Sequence, residues 1–412
     1  MAVAKPLQKS MLDIAADLDA ERNDPYHRLR LIKWWDQERL RAARVMVAGA
    51  GALGNEIVKN LALLGVGHIL ICDFDTVEPS NLSRSVLFRR GDEGQRKAEV
   101  AARRAMELNP DVCAAWFHGD ITADLGRGVV RRMDVVIGGL DNRAARLALS
   151  DACWSLGVPY IDGGTHTFEG QVRVFQPPQG PCYACTLSEE SWKGINERIR
   201  CNLLLGMSDE QATGKVATTP IASSIIAALE VQEAVELLHG MPAPVGQTFV
   251  YNGYTHEIYV TTQEARNNDY HQHDSQETHI KVVEVGLTNR DSALAFLTTV
   301  RKQLGDNAVL NLANNLVGNM TCRECQTQDF ALRPLNKMTT AELACPTCGD
   351  EREMELLYKI EGHEKWLDRP MVDLGISPLA ILFANDGDRW GYFELSGDAP
   401  SGGFWERGSR VV

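Results

Sequence analysis

Residues 44–54 read Arg44-Val45-Met46-Val47-Ala48-Gly49-Ala50-Gly51-Ala52-Leu53-Gly54; an amphipathic run follows to Leu64-Gly65, and then His68-Ile69-Leu70-Ile71-Cys72-Asp73. A short apolar run, a glycine turn, helical spacing and a second apolar run predict strand, turn, helix, strand. Glycines in such a turn let the backbone approach a phosphate and aim a helix N-terminus at its charge. Gly49, Gly51 and Gly54 are therefore candidate nucleotide-binding residues. Asp73, 19 residues after Gly54 at the end of the next strand, stands where a carboxylate takes ribose hydroxyls. On these features alone, an NAD-dependent oxidoreductase fits as well as any other nucleotide enzyme.

Outward from this unit the alternation continues. The pattern predicts a helix around Ala98–Leu108, a strand near Val112–Phe117, an apolar strand at Asp134–Gly139, a helix over 143–156 and a strand at Pro159–Asp162. Such alternation predicts an α/β fold, a Rossmann-like doubly wound sheet. Thr167–Phe175 and Thr248–Val260 read as antiparallel additions, and Ile221–Leu238 as a long helix. Between them, 186–218 is a polar crossover, and a loop of about thirty residues is usually functional. Residues 1–40 read as an N-terminal helical segment, 41–275 as the nucleotide-binding domain, and 276–412 as a smaller α+β C-terminal domain.

Composition sets outer limits. The net charge of −13 excludes a sequence-independent nucleic-acid binder, which needs a basic face. No apolar run reaches the roughly 18 residues of a membrane helix. Asp13 and Asp17 interrupt the start before a signal core can form, so a cytoplasmic location without membrane attachment is expected. In that compartment ten cysteines serve better as metal ligands or nucleophiles than as disulfides. Cys322-x-x-Cys325 and Cys345-x-x-Cys348, nineteen residues apart, have the spacing of a zinc ribbon over 322–348. Four thiolates close the coordination sphere, so a structural Zn²⁺ is expected there rather than a catalytic one.

The residues after Asp73 separate the nucleotide readings. Asp73-Phe74-Asp75-Thr76-Val77-Glu78-Pro79-Ser80-Asn81-Leu82-Ser83-Arg84, then Lys97, then Asp141-Asn142, put cations and carboxylates where a nicotinamide would want an apolar pocket. This constellation resembles the ThiF/MoeB adenylyltransferases and the adenylation domains of ubiquitin-activating enzymes, over roughly 20–265. The resemblance implies ATP, with its ribose on Asp73, its phosphates on Asn81, Arg84 and Lys97, and Mg²⁺ on Asp141. Arg84 and Lys97 would be catalytic by neutralising charge as a carboxylate attacks the α-phosphate. Arg28 matches an arginine that reaches the triphosphate from a partner subunit, which implies a homodimer. Ser85 departs from the family, whose members commonly carry glutamine at that position.

The resemblance also gives Cys182 and Cys185 a meaning, as half of a metal site. The second half is commonly another Cys-x-x-Cys, but here the region reads Asn268-Asp269-Tyr270-His271-Gln272-His273. Cys182, Cys185, His271 and His273 form one chemically reasonable set; a metal-free clasp and solvent-facing histidines are the alternatives. Cys201 lies in the crossover, where relatives that form a thioester carry their nucleophile, and Arg198 and Arg200 would stabilise its thiolate.

The expected function is ATP-dependent activation of a ubiquitin-like protein at its C-terminal glycine. Thioester formation on Cys201 and hand-over to a conjugating enzyme would follow. The alternative is a sulfur-carrier adenylyltransferase of the thiamine or molybdopterin type, without an enzyme thioester.

Overall fold

The computed structural model describes residues 23–193, 195 and 217–411. Two short helices, α1 (His27–Arg30) and α2 (Gln37–Ala42), lead into β1 (Arg44–Ala48), α3 (Ala52–Leu63) and β2 (His68–Cys72). Helix α4 (Lys97–Leu108), β3 (Cys113–Phe117), α5 (Arg127–Val130), β4 (Val135–Gly138), α6 (Arg143–Leu156) and β5 (Tyr160–His166) complete the parallel part. Then come β6 (Glu169–Phe175), the long helix α7 (Pro220–Leu238), β7 (Gln247–Asn252) and β8 (Glu257–Thr262). The strands form one sheet in the order β3-β2-β1-β4-β5-β6-β7-β8. The first five run parallel and the last three antiparallel, so the expected doubly wound sheet with antiparallel additions is present.

Strands β1, β2 and β4 are buried nearly throughout, which is why they read as continuous apolar runs rather than alternating ones. Helix α3 buries Leu53, Ile57, Val58 and Leu61 in the core it shares with α7. Each such side chain contributes roughly 1.5–3 kcal/mol by leaving water. Helix α6 starts where the Asn142 side chain accepts the Ala145 N–H at 2.7 Å, and stops at Gly157 in the left-handed region.

Chain order reverses between β1 and β4, the topological switch point where open α/β sheets bind ligands beyond the strand ends. The glycine turn after β1 and the Leu140–Asp141 turn after β4 both lie there.

A small ladder of β9 (Asn267–Asn268) and β10 (His271–Gln272) precedes a second sheet. That sheet comprises β11 (Val282–Glu284), β12 (Val309–Cys322), β13 (Gln328–Pro334), β14 (Arg352–Ile360), β15 (Ile381–Asp386) and β16 (Arg389–Glu394). It packs against α8 (Ala293–Leu304) around Phe296, Leu310, Leu382 and Phe393.

This second unit is attached to the first at several places. Ile280 N–H donates to the Ser155 carbonyl at 2.9 Å, and Lys337 pairs with Asp124 at 2.6 Å. Glu394, fully buried, pairs with Arg131 at 2.6 Å and also with Arg132. The chain then returns: residues 404–411 pack back onto the first sheet along the outer edge of β3. Phe404 and Val411 enter the core formed by β1 and β2 residues, and the Phe404 ring lies 5.0 Å from His68.

Candidate functional site

The glycine turn is held by sterics on two sides. Gly49 has φ +94°, and a Cβ there would meet the Gly139 carbonyl oxygen at 2.6 Å; one on Gly54 would meet the Gly49 oxygen at 1.8 Å. Neither obstacle can move, since both are backbone. A Cβ on Gly51 would meet nothing within 4 Å. Its surroundings are open, so packing does not require glycine there, and the space beside it is free for a ligand.

Asp73 closes the site from the neighbouring strand. Its Oδ2 accepts the Ala50 N–H and its Oδ1 the Asp75 N–H, both at 2.7 Å, which leaves lone pairs for hydroxyl donors. Burial pushes the carboxyl up to about 6, against the pull of Lys97 and of the two N–H groups. Lys97, first residue of α4 and nearly buried, pairs through Nζ with Asp75 Oδ2 at 2.6 Å.

Asn81 sits in a one-turn helix, where its Oδ1 accepts the Glu78 N–H at 2.9 Å. Its amide NH₂ makes no hydrogen bond among the described residues. One turn on, Arg84 donates to the Ser80 carbonyl at 2.7 Å. Asp141 is exposed and without a partner among the described residues. Arg28 is likewise exposed and unpaired among them. It is presented by a segment pinned through Tyr26, whose buried hydroxyl accepts from Asn109 Nδ2 at 2.6 Å.

Some residues that shape the site carry no motif. Buried Asn55 donates from Nδ2 to the Ala50 and Gly51 carbonyls at 2.7 and 2.9 Å and accepts the Leu87 N–H at 3.0 Å. It thereby ties the glycine turn to the segment bearing Arg84. Arg146 donates to the Leu140 carbonyl and to Asp162, fixing the turn that presents Asp141. A lone Asn on an apolar helix face was the available signal for the first. Arg146 and Asp162 show no pattern in one dimension.

Cys182, Cys185, His271 and His273 come together, with their ligand atoms all within 4.8 Å of one another. The two Sγ atoms are 3.7 Å apart, and His271 Nε2 lies 3.3 and 3.4 Å from them. Zinc bonds of about 2.3 Å to sulfur and 2.0–2.1 Å to nitrogen in a tetrahedron require separations of about 3.8 and 3.5 Å, so the set fits one such ion. Trp154 and Trp192 pack on the two imidazoles. The second cluster, Cys322, Cys325, Cys345 and Cys348, has Sγ separations of 3.4–3.6 Å between Cys322 and Cys348, Cys325 and Cys345, and Cys325 and Cys348. Cys325 N–H points at Cys322 Sγ and Thr347 N–H at Cys345 Sγ, as in a metal knuckle.

The described ends of the crossover are fastened. Arg266 donates to the Leu187 carbonyl near the first cluster. At the other end Thr167 N–H donates to Ala217 O at 2.7 Å, and Thr219 Oγ1 to Thr167 O at 2.9 Å. Cys201 lies outside the described residues. No helix among those described is long and apolar enough to cross a membrane.

Comparison with known proteins gives the family. The profile of the ThiF family matches residues 25–274, more than half of the chain. The chain belongs to the ThiF family. This ThiF-family protein is an ATP-dependent adenylyltransferase. It is 31% identical over 241 residues to the sulfur carrier protein adenylyltransferase of Thermus thermophilus, covering 56% of this chain and 84% of that one. With the SAMP-activating enzyme E1 of Haloferax volcanii it shares 34% identity over 224 residues, 54% of this chain and 77% of the other. A crystal structure of Escherichia coli MccB with ATP shares the fold, at a TM-score of 0.50 and 21% identity over 63% of this chain and 80% of that one.

Proposed function

We propose that this ThiF-family protein adenylates the C-terminal glycine carboxylate of a small ubiquitin-like or sulfur-carrier protein. The observation that carries the reading is the convergence at the switch point of an open glycine turn, Asp73 joined to it, Lys97 and the unpaired Asp141. Asp73 takes the ribose hydroxyls. Arg84, Lys97 and the Asn81 amide hold the phosphates, and Asp141 holds Mg²⁺, which offsets phosphate charge when bound. The carrier carboxylate forms a bond to the α-phosphorus while the bond to the bridging oxygen breaks, and pyrophosphate leaves with the electron pair. No general base is required, because a carboxylate is already ionised at pH 7. Arg84 and Lys97 stabilise the charge that accumulates on the phosphates. Arg28, unpaired among the described residues, serves the site of the second subunit in a homodimer.

In the full reading the acyl group then passes to Cys201 as a thioester and on to a conjugating enzyme. The C-terminal unit recruits the carrier or that enzyme, and both cysteine-bearing clusters hold structural Zn²⁺. A second reading, release of the acyl adenylate to sulfur transfer with no enzyme thioester, is favoured by the named activities of relatives such as the E. coli ThiS adenylyltransferase.

One experiment separates them. The protein is incubated with ATP, magnesium and a panel of Gly-ending carriers, and wild type and Cys201→Ala are run on non-reducing gels. A thiol-sensitive adduct in wild type alone supports the thioester. Pyrophosphate release with no adduct supports the sulfur-carrier reading, and no release with any carrier sinks both.

A further inference from the structure

We propose that the 404–411 segment, delivered by the second unit, is a positioning element for the nucleotide site. The inference rests on the reading that Asp73 and Lys97 bind ATP. Strand β3 is the outer strand of the first sheet, and this segment lies parallel against it: Gly408 N–H donates to Ala114 O at 2.7 Å, Trp116 N–H to Ser409 O at 3.0 Å and Val411 N–H to Trp116 O at 2.7 Å. The Trp116 indole N–H donates to the Gly408 carbonyl at 3.1 Å.

From β3 two short connections lead into the site. The next residue, Phe117, accepts the Asp73 N–H at 3.1 Å, fixing the backbone of the ribose-binding carboxylate. The Trp116 ring carries two guanidinium groups, Arg410 at 5.9 Å and Arg96 at 5.5 Å from its centroid. Arg96 caps α4, pairs with Thr76 in an isolated bridge, and immediately precedes Lys97. Asp73, Asp75 and Lys97 thus rest on a strand whose free edge and whose tryptophan are both held by 404–411. Because the same segment leaves the second unit through Phe404, displacement of that unit is felt at the site. The contacts form a contiguous packed path.

The test compares ATP affinity, titrated calorimetrically with magnesium chloride present, in full-length wild type, Gly408→Pro, Arg410→Ala, a 404–412 deletion and Lys97→Ala. Proline at 408 removes the N–H given to Ala114 and cannot adopt the observed φ of +73°, while Phe404 and Val411 keep their apolar contacts. We expect Gly408→Pro and the deletion to raise the Kd for ATP about three- to tenfold, and Arg410→Ala somewhat less. A synthetic 402–412 peptide should restore the deletion variant. An ATP affinity unchanged in Gly408→Pro, with Lys97→Ala impaired, overturns the proposal even if the melting temperature falls. Wild-type ATP affinity in Lys97→Ala overturns the nucleotide-site reading and the proposal with it.

Discussion

The chemistry of this site depends on a carboxyl that is half committed. Asp73 spends one lone pair of each oxygen on the turn and on Asp75, and its burial places its titration near 6 instead of near 4. If ribose hydroxyls donate to the ionised form, as proposed, nucleotide binding should be full from about pH 7 upward and weaken as the pH falls through 6. ATP affinity should decline by up to roughly tenfold per pH unit below 6. Asp73→Asn should weaken binding roughly ten- to hundredfold and flatten the pH profile, as read by titration between pH 5 and 8. An unaltered profile in the variant would assign the titration to another group. Lys97→Ala should slow adenylation by about a hundredfold or more, since it removes a preorganised cation and leaves Asp75 unpaired; single-turnover pyrophosphate release measures this.

At the scale of elements, the first cysteine pair and the β9–β10 ladder form one joint. If zinc closes it, the purified protein binds about two zinc ions per chain, and Cys182→Ala or His271→Ala reduces the content to about one. Metal analysis after chelation and repurification reads this directly, and two ions retained in Cys182→Ala would refute the assignment. Much of the framework was legible because parallel strands buried on both faces read as unbroken apolar runs. The helix expected at 143–156 and the strands expected around Val112–Phe117 and Thr167–Phe175 fall close to where they are found. The placing of the glycine turn beside Asp73 was legible for a related reason: it follows from position relative to strand ends. Asn55, Arg146 and Asp162 were not, since each acts through a partner distant in sequence or through backbone carbonyls. His271 and His273 could be suggested by chemistry, but only a folded chain brings them beside cysteines almost ninety residues earlier.

Across the whole molecule, the two units meet through buried charge as well as through apolar side chains, Leu379, Phe404 and Val411 lying in the core of the first unit. Glu394 has no solvent exposure and depends on Arg131 and Arg132. Removing the carboxylate in Glu394→Ala leaves partly buried Arg132 without its counter-ion and Arg131 with Glu284 alone, and should cost about 3 kcal/mol in denaturant unfolding. A Glu394→Ala variant as stable as wild type would mean that water compensates both arginines. Nothing in the sequence singled out this glutamate, because its meaning comes from contacts with the two arginines that follow α5, more than 260 residues earlier.

The described ends of the crossover are fastened at Leu187 and at Ala217 and Thr219, and Trp192 and Ile195, past the first anchor, pack on the first unit as well. If that stretch selects the protein substrate, segments from relatives spliced between Ile195 and Ala217 should change the choice of client in a pyrophosphate-release assay and leave the affinity for ATP at the wild-type value.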